Sequence, residues 1–272
     1  MVNKALKFLS PEDAINEVFL DLAVHPGKWY ELALFAKVYG FLTQGKAKPG
    51  QANFNSEDLV ERGIWYAAKG EKIEKFIPAS EFKELAIDLI PKVISRIDEI
   101  AQVYEWTMWV KTFSGKGPDG KEGIWVETEM EKFRCTRCGH CCLKLHDAYC
   151  TSVDVEDVRR WRKEKRWDIL EWVDIMKVGG EALFADIWFS PTTGEETTRC
   201  PWLRKLPNKN KYKCRIHETK PTHCRNFPKS KKHALTTGCR GFGDDPTFER
   251  VKRDLEKLYN NSQKKEGLPG SK

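Results

Sequence analysis

No run in this 272-residue chain approaches the roughly 18 apolar residues of a membrane helix. An apolar leader is missing too, since Met1-Val2-Asn3-Lys4-Ala5-Leu6-Lys7 is followed closely by Pro11-Glu12-Asp13. Neither a membrane span nor a secretory signal is expected, and the chain reads as cytoplasmic with reduced thiols. There is no glycine-rich nucleotide fingerprint. Gly120-Lys121 is followed by Glu122 rather than the Ser or Thr of a phosphate loop, so Ser114–Gly120 reads as a turn before a strand over 123–128. The triplet Cys-x-x-x-Cys-x-x-Cys of radical S-adenosylmethionine enzymes is absent, and no internal repeat is found. Acids are scarce between Arg199 and Cys239, where Glu218 stands alone.

What the chain has is sulfur. Of its nine cysteines, Cys135, Cys138, Cys141 and Cys142 fall in the single stretch Cys-Thr-Arg-Cys-Gly-His-Cys-Cys. Disulfide frameworks suit short secreted chains that cannot build a core, whereas this length allows one large domain or two small ones. The odd total would leave a thiol over, and neighbours such as Cys141 and Cys142 bridge each other only with strain. Metal ligation is favoured. Cys200, Cys214, Cys224 and Cys239 lie close to Pro, Gly or charged residues, the composition of turns, and loops can aim several thiolates at one ion. The expected ligands are therefore Cys135, Cys138, Cys141, Cys142, Cys200, Cys214, Cys224 and Cys239. Cys150, after Asp147-Ala148-Tyr149, reads as a small core residue or a free thiol. His140 and His146 are left outside the ligand set.

Structural zinc commonly uses two Cys-x-x-Cys pairs, and only the first group of thiols offers pairs. Cys135-x-x-Cys138-x-x-Cys141 instead has the triple spacing of ferredoxin-type sites, where a distant cysteine completes the cluster. An iron–sulfur cluster, of the 4Fe-4S kind, is favoured and zinc is the alternative. Two four-coordinate sites, or one cluster with one zinc ion, are both open.

Phe133-x-Cys135-x-x-Cys138-Gly139-x-Cys141-Cys142 resembles the signature of the YkgJ-type cysteine cluster family, described as a zinc- or iron-chelating domain with a CxxCxxCC motif. Cys200-Pro-x-Leu203 and Cys214-x-Ile216-His217-Glu218-x-Lys220-Pro221-x-x-Cys224-Arg225-x-Phe227-Pro228 resemble the family's downstream wording. His217 stands where Tyr is common and Lys220 where Arg is common. The likeness covers about 130–242 and implies metal binding in a redox, carrier or assembly role. Related clusters occur in flagellin lysine N-methylases. The resemblance therefore also implies an alternative, an enzyme related to protein-lysine N-methylases in which the metal supports the fold. His146, Asp147, His217, Glu218 and His223 are acids and bases near the motif, and none is assigned a catalytic role.

A cationic stretch around thiolates lowers their pKa and offsets the negative charge of a four-thiolate centre. The basic segment 199–232 would equally suit an acidic protein partner, and the helical N-terminal region is a second candidate docking surface. Nucleic acid is less expected, because aromatic interleaving is limited to Trp202, Tyr212 and Phe227.

The N-terminal part carries architecture. Ser10-Pro11-Glu12 starts a helix with Ala14, Ile15, Val18, Phe19 and Leu22 at helical spacing. A buried helix is expected over 29–42, a loop over 46–55, a short helix from Ser56 to Ala68, and a long helix from Ala79 to Tyr104 that Pro91 kinks or divides. Further on, helices are expected after Asp154, over 168–177 and over 246–260. A hairpin is expected between 183–189 and 195–198, and a strand over 211–216. The fold class is α+β, mostly helical. Residues 1–125 form a helical region, 126–245 a small irregular metal-organised domain, and 246–272 a helix with a frayed tail.

Overall fold

The computed structural model describes residues 6–24, 29–53, 60–72, 74–207 and 209–265. The chain divides into two units, 1–131 with 246–272, and 132–245. Helix takes 43% and strand 23%, a mixed α+β fold. No described helix is long and apolar enough to cross a membrane.

In the first unit, β1 (Leu6–Leu9) enters α1 (Pro11–Val24) through the Ser10 cap. The Asp13 amide donates to Ser10 Oγ at 3.0 Å, and the Ser10 hydroxyl donates to Asp13 Oδ2 at 2.7 Å. Ala14, Ile15, Val18, Phe19 and Leu22 are all buried on the face their spacing defines. α2 (Trp29–Thr43) buries Leu32, Leu34, Phe35, Val38 and Leu42, as a helix apolar on most sides must.

The next stretch departs from expectation. The loop expected over 46–55 is largely a strand, β2 (Lys46–Asn53), and the helix expected through Ala68 is β3 (Val60–Ala67). Its expected cap, Ser56, lies outside the described residues. The two strands pair antiparallel from Lys46↔Ala67 to Asn53↔Val60, and β4 (Lys75–Pro78) completes the order β2-β3-β4. Val60, Ile64 and Ala67 fit i, i+4, i+7 spacing, so a helical template accepts residues that pairing places in a strand. β2 has no β-branched residue and contains Pro49, which a sheet tolerates on an edge strand. Cross-strand packing outweighs propensity here.

The long helix is divided into α3 (Phe82–Val93) and α4 (Ile97–Met108). The break falls just beyond Pro91, which stays within α3. Arg96 fastens the corner, donating to the Leu42 carbonyl at 2.7 Å and to Glu99 Oε1 at 2.9 Å. β5 (Thr112–Lys116) and β6 (Glu122–Glu127) flank the glycine-rich turn and join β1 in the order β1-β6-β5.

The second unit is assembled from short pieces. They are α5 (His140–Leu143), α6 (Leu145–Ala148), α7 (Val155–Lys163), α8 (Trp167–Leu170), β7 (Val173–Val178) and β8 (Glu181–Ile187). After them come β9 (Leu203–Lys205), β10 (Tyr212–Cys214), α9 (Thr222–Arg225) and α10 (Lys231–Thr236). The Asp154 side chain caps α7 by accepting from the Glu156 amide at 2.9 Å. The helix expected over 168–177 stops at Leu170, and β7 takes the remainder. β7 pairs with β8 around Gly179-Gly180, both at positive φ, the backbone that a two-residue hairpin turn requires. Of the hairpin expected with 195–198, only the bridge Phe189↔Glu196 forms. Leu145, Trp161, Ile169, Ile187 and Trp188 make the centre of this unit's core. α11 (Thr247–Lys265) then returns to the first unit, where Leu255 joins the core and Phe248 packs on Trp109.

Phe35 and Phe82 anchor the first core, fully buried and stacked with ring centroids 3.7 Å apart. Phe82→Ala should lower unfolding free energy by about 3–5 kcal/mol, read by denaturant titration against the parent chain. A loss below about 1 kcal/mol would mean that the two rings are not packed this way.

Candidate metal centre

The motif loop is held by its backbone. Arg137, between Cys135 and Cys138, adopts φ 59, and its carbonyl accepts from the Tyr212 amide at 2.9 Å. That bond sets β10, with Cys214 at its end, against the loop. β10 pairs with β9 so that Cys214 lies opposite Leu203. The Cys200 amide donates to the Cys142 carbonyl at 2.8 Å. Two of the later-spaced thiols, Cys200 and Cys214, thereby meet the motif through backbone contacts that spacing alone could not show.

At the motif's other end, the Arg134 amide donates to the Gly241 carbonyl at 2.8 Å, and the Phe133 and Phe242 rings pack at 5.4 Å. A Cβ on Gly241 would fall 2.0 Å from the Phe133 ring, so glycine is required for this approach. Gly238, at φ 69, presses against the His140 ring. Cys239 is thereby carried to the Cys135–His140 stretch.

α9, which bears Cys224, is fixed by a buried carboxylate. Asp157 is only 2% exposed and accepts from the Thr222 amide at 2.7 Å and the Thr222 hydroxyl at 3.1 Å. Arg160 pairs with it at 2.9 Å. Trp161 Nε1 donates to the Thr219 carbonyl at 2.7 Å, pinning the approach to the same turn.

Two of the motif's sulfurs lie close. Cys141 Sγ and Cys142 Sγ are 3.9 Å apart and share a hydrogen bond. That bond, then burial, pushes the Cys141 thiol far up, although the Tyr149 hydroxyl donates to its sulfur and opposes the shift. Cys142 is pushed up to about 12. The bond with Cys141 lowers it, but the bond with Cys200, burial and the charges of Cys200 and Cys214 outweigh this. Burial raises Cys224 well above a normal thiol, with Cys142, Cys141 and Cys214 adding repulsion. Burial likewise raises Cys214, against a bond from the Ile216 amide. Cys239 is pushed up to about 11 by burial and by Cys138, Cys141 and Cys135, against a bond from the Gly241 amide. Cys214 and Cys239 thus each accept from the amide two residues on, a bond that strengthens when the sulfur is anionic.

All nine cysteines are free thiols. Among the described residues, no three His, Cys, Asp or Glu side chains stand close enough together to hold a metal ion as placed. The donors are gathered but not closed. Their chemistry fits a thiophilic metal: soft sulfurs, opposed by mutual repulsion and burial, that an ion would relieve. Cys150 is exposed and takes part in none of these contacts. Sequence reasoning gave no ligand-supporting role to Tyr149, and nothing in the spacing signals one. His223 has a buried Nε2 with no hydrogen-bond partner among the described residues, on a ring packed against Tyr149 and Trp188. Burial pushes its pKa down to about 4, against the Asp157 charge and a bond to the Ser152 backbone. His146 pairs instead with Glu196 at 3.1 Å. Part of the basic segment is also engaged internally, Lys231 and Lys232 being buried and Lys231 paired with Asp245 at 2.8 Å.

Residues 134–242 match the family model described as "CxxCxxCC: Putative zinc- or iron-chelating domain". This segment is similar to a CxxCxxCC domain. It covers less than half of the chain, and no curated protein and no solved structure matches.

Within this segment, Asp157 positions a thiol without touching one. Asp157→Ala should cost about 1–3 kcal/mol by leaving the Thr222 amide and hydroxyl without their buried acceptor, and bound metal should fall with it. Cys150→Ser should leave both stability and metal content unchanged. Metal analysis with thermal melting checks the pair, and metal loss in the Cys150 variant would place that residue in the ligand set.

Proposed function

We propose that the CxxCxxCC domain holds thiolate-bound metal, an iron–sulfur cluster foremost, and serves as a redox, carrier or assembly module. One observation supports this most: eight free thiols, drawn from five separate stretches, gather within one unit whose other elements are short. Cys135, Cys138, Cys141, Cys142, Cys200, Cys214, Cys224 and Cys239 would be the ligands. A bound iron–sulfur cluster would supply one-electron transfer.

The chain's own residues prepare the site for such a group. Amides of Ile216 and Gly241 and the Tyr149 hydroxyl aim donors at sulfur, which favours the anionic form needed for ligation. Trp188, Trp202, Leu203 and Ile216 exclude water from one side. Lys220 lowers the pKa of Cys214 and Cys224 and so offsets the charge that thiolates accumulate. The remaining exposed part of the basic segment would meet an acidic surface on a protein partner.

Anaerobic purification tests the reading. The protein should be brown, absorb near ~400 nm, and contain iron with acid-labile sulfide. Colourless protein containing zinc would retain metal binding but reject the cluster. Protein that takes up neither metal after anaerobic reconstitution would reject the proposal.

A further inference from the structure

The eight thiols do not form one undivided set. We infer that they build two separate four-thiolate centres, an outer one from Cys135, Cys138, Cys141 and Cys239, and an inner one from Cys142, Cys200, Cys214 and Cys224. This rests on the metal-binding reading above and assigns its ligands.

Two observations divide the thiols the same way. The first is packing. Cys142, Cys200, Cys214 and Cys224 belong to the apolar cluster around Trp188, Trp202 and Ile216, whereas Cys135, Cys138, Cys141 and Cys239 are outside it. The second is backbone attachment. Cys200 is bonded to Cys142, and the β9–β10 pairing brings Cys214 to the Cys200 turn. Separately, the Arg134–Gly241 bond and the Gly238–His140 contact carry Cys239 to the motif.

The adjacent pair explains how one motif serves both centres. Successive side chains point in different directions, so Cys141 completes the Cys-x-x-Cys-x-x-Cys triple while Cys142 turns into the apolar cluster. Cys239 is then the distant fourth thiol that the triple spacing requires. The 3.9 Å separation of the two sulfurs makes the centres immediate neighbours.

Their surroundings differ. Cys135 is exposed, and Cys138 opens on a cleft of about 460 Å³ lined also by His140, Lys211, Tyr212 and Arg240. The outer centre therefore meets solvent and small anionic reagents or chelators, and the inner centre is enclosed by apolar side chains. Exchange chemistry therefore belongs to the first and not to the second.

The full-length protein, loaded anaerobically with the metal it retains, tests this by metal counting. Cys135→Ser and Cys239→Ser should each lose one centre's share, and the double variant no more than either alone. Cys214→Ser should lose the other share, and Cys135→Ser with Cys214→Ser should lose both. Greater loss in the Cys135/Cys239 double variant than in either single one would overturn the division. So would loss of all metal from a Cys135→Ser protein that keeps its near-ultraviolet circular dichroism.

A second measurement needs no variant. Wild-type protein is treated with chelator and an alkylating reagent, and modified cysteines are mapped by mass spectrometry over time. Cys135, Cys138, Cys141 and Cys239 should be modified as one group, roughly tenfold faster than the other four, because stripping the centre that opens on solvent through Cys135 and Cys138 frees its four thiols together. Release of all eight in one phase would overturn the division while leaving metal binding intact. A wild-type chain with no metal would instead defeat the underlying reading.

Discussion

Convergence of sulfur is the constraint on which the second unit depends. Its helices are short, α7 being the longest at 9 residues, and its two sheets have two strands each. Helices of this length are marginal in isolation, as are two-stranded hairpins. The apolar cluster around Trp161 and Trp188 holds one part together. The loops 133–142 and 237–242 contribute few apolar groups to that cluster, and their contact is one of backbone bonds, packed rings and thiols. Metal bonds across these loops would supply cohesion that the apolar core does not.

Electrostatics makes the same point from the other side. Thiols crowded beneath the surface share hydrogen bonds, are desolvated and repel one another when ionised, and Cys141, Cys142 and Cys224 are all raised. Such an arrangement is stressed unless protons or a cation balance it. Metal ligation displaces the protons and turns repulsion between thiolates into shared attraction for the ion. Amide and hydroxyl donors at Cys214, Cys239 and Cys141 already point the way toward the anionic form.

The sequence made the donor set conspicuous because Cys135–Cys142 is dense and the later cysteines sit in turns. It also located α1, where a cap and apolar spacing agree, α2, which is apolar on most sides, and α7, where a cap and the order of charges agree. Legibility failed where contacts distant in sequence decide the outcome. β2 has Lys, Pro, Gly and Asn in place of strand-forming residues, and only its partner β3 makes it a strand. Spacing at Val60, Ile64 and Ala67 suits helix and strand alike. The hairpin β7–β8 was hidden because Ile169, Trp172 and Val173 extend the helical pattern beyond Leu170. Asp157, Tyr149 and the Gly241 approach to Phe133 carry no motif, since each matters only through a neighbour far along the chain.

The most direct test of metal-dependent cohesion is hydrogen exchange on the full-length protein with metal bound and after anaerobic removal. Removal should strip protection from amides in 132–145, 200–216 and 222–242, while the first unit's α1 and α2 keep theirs. Unchanged exchange across 132–245 after complete metal loss would contradict the account.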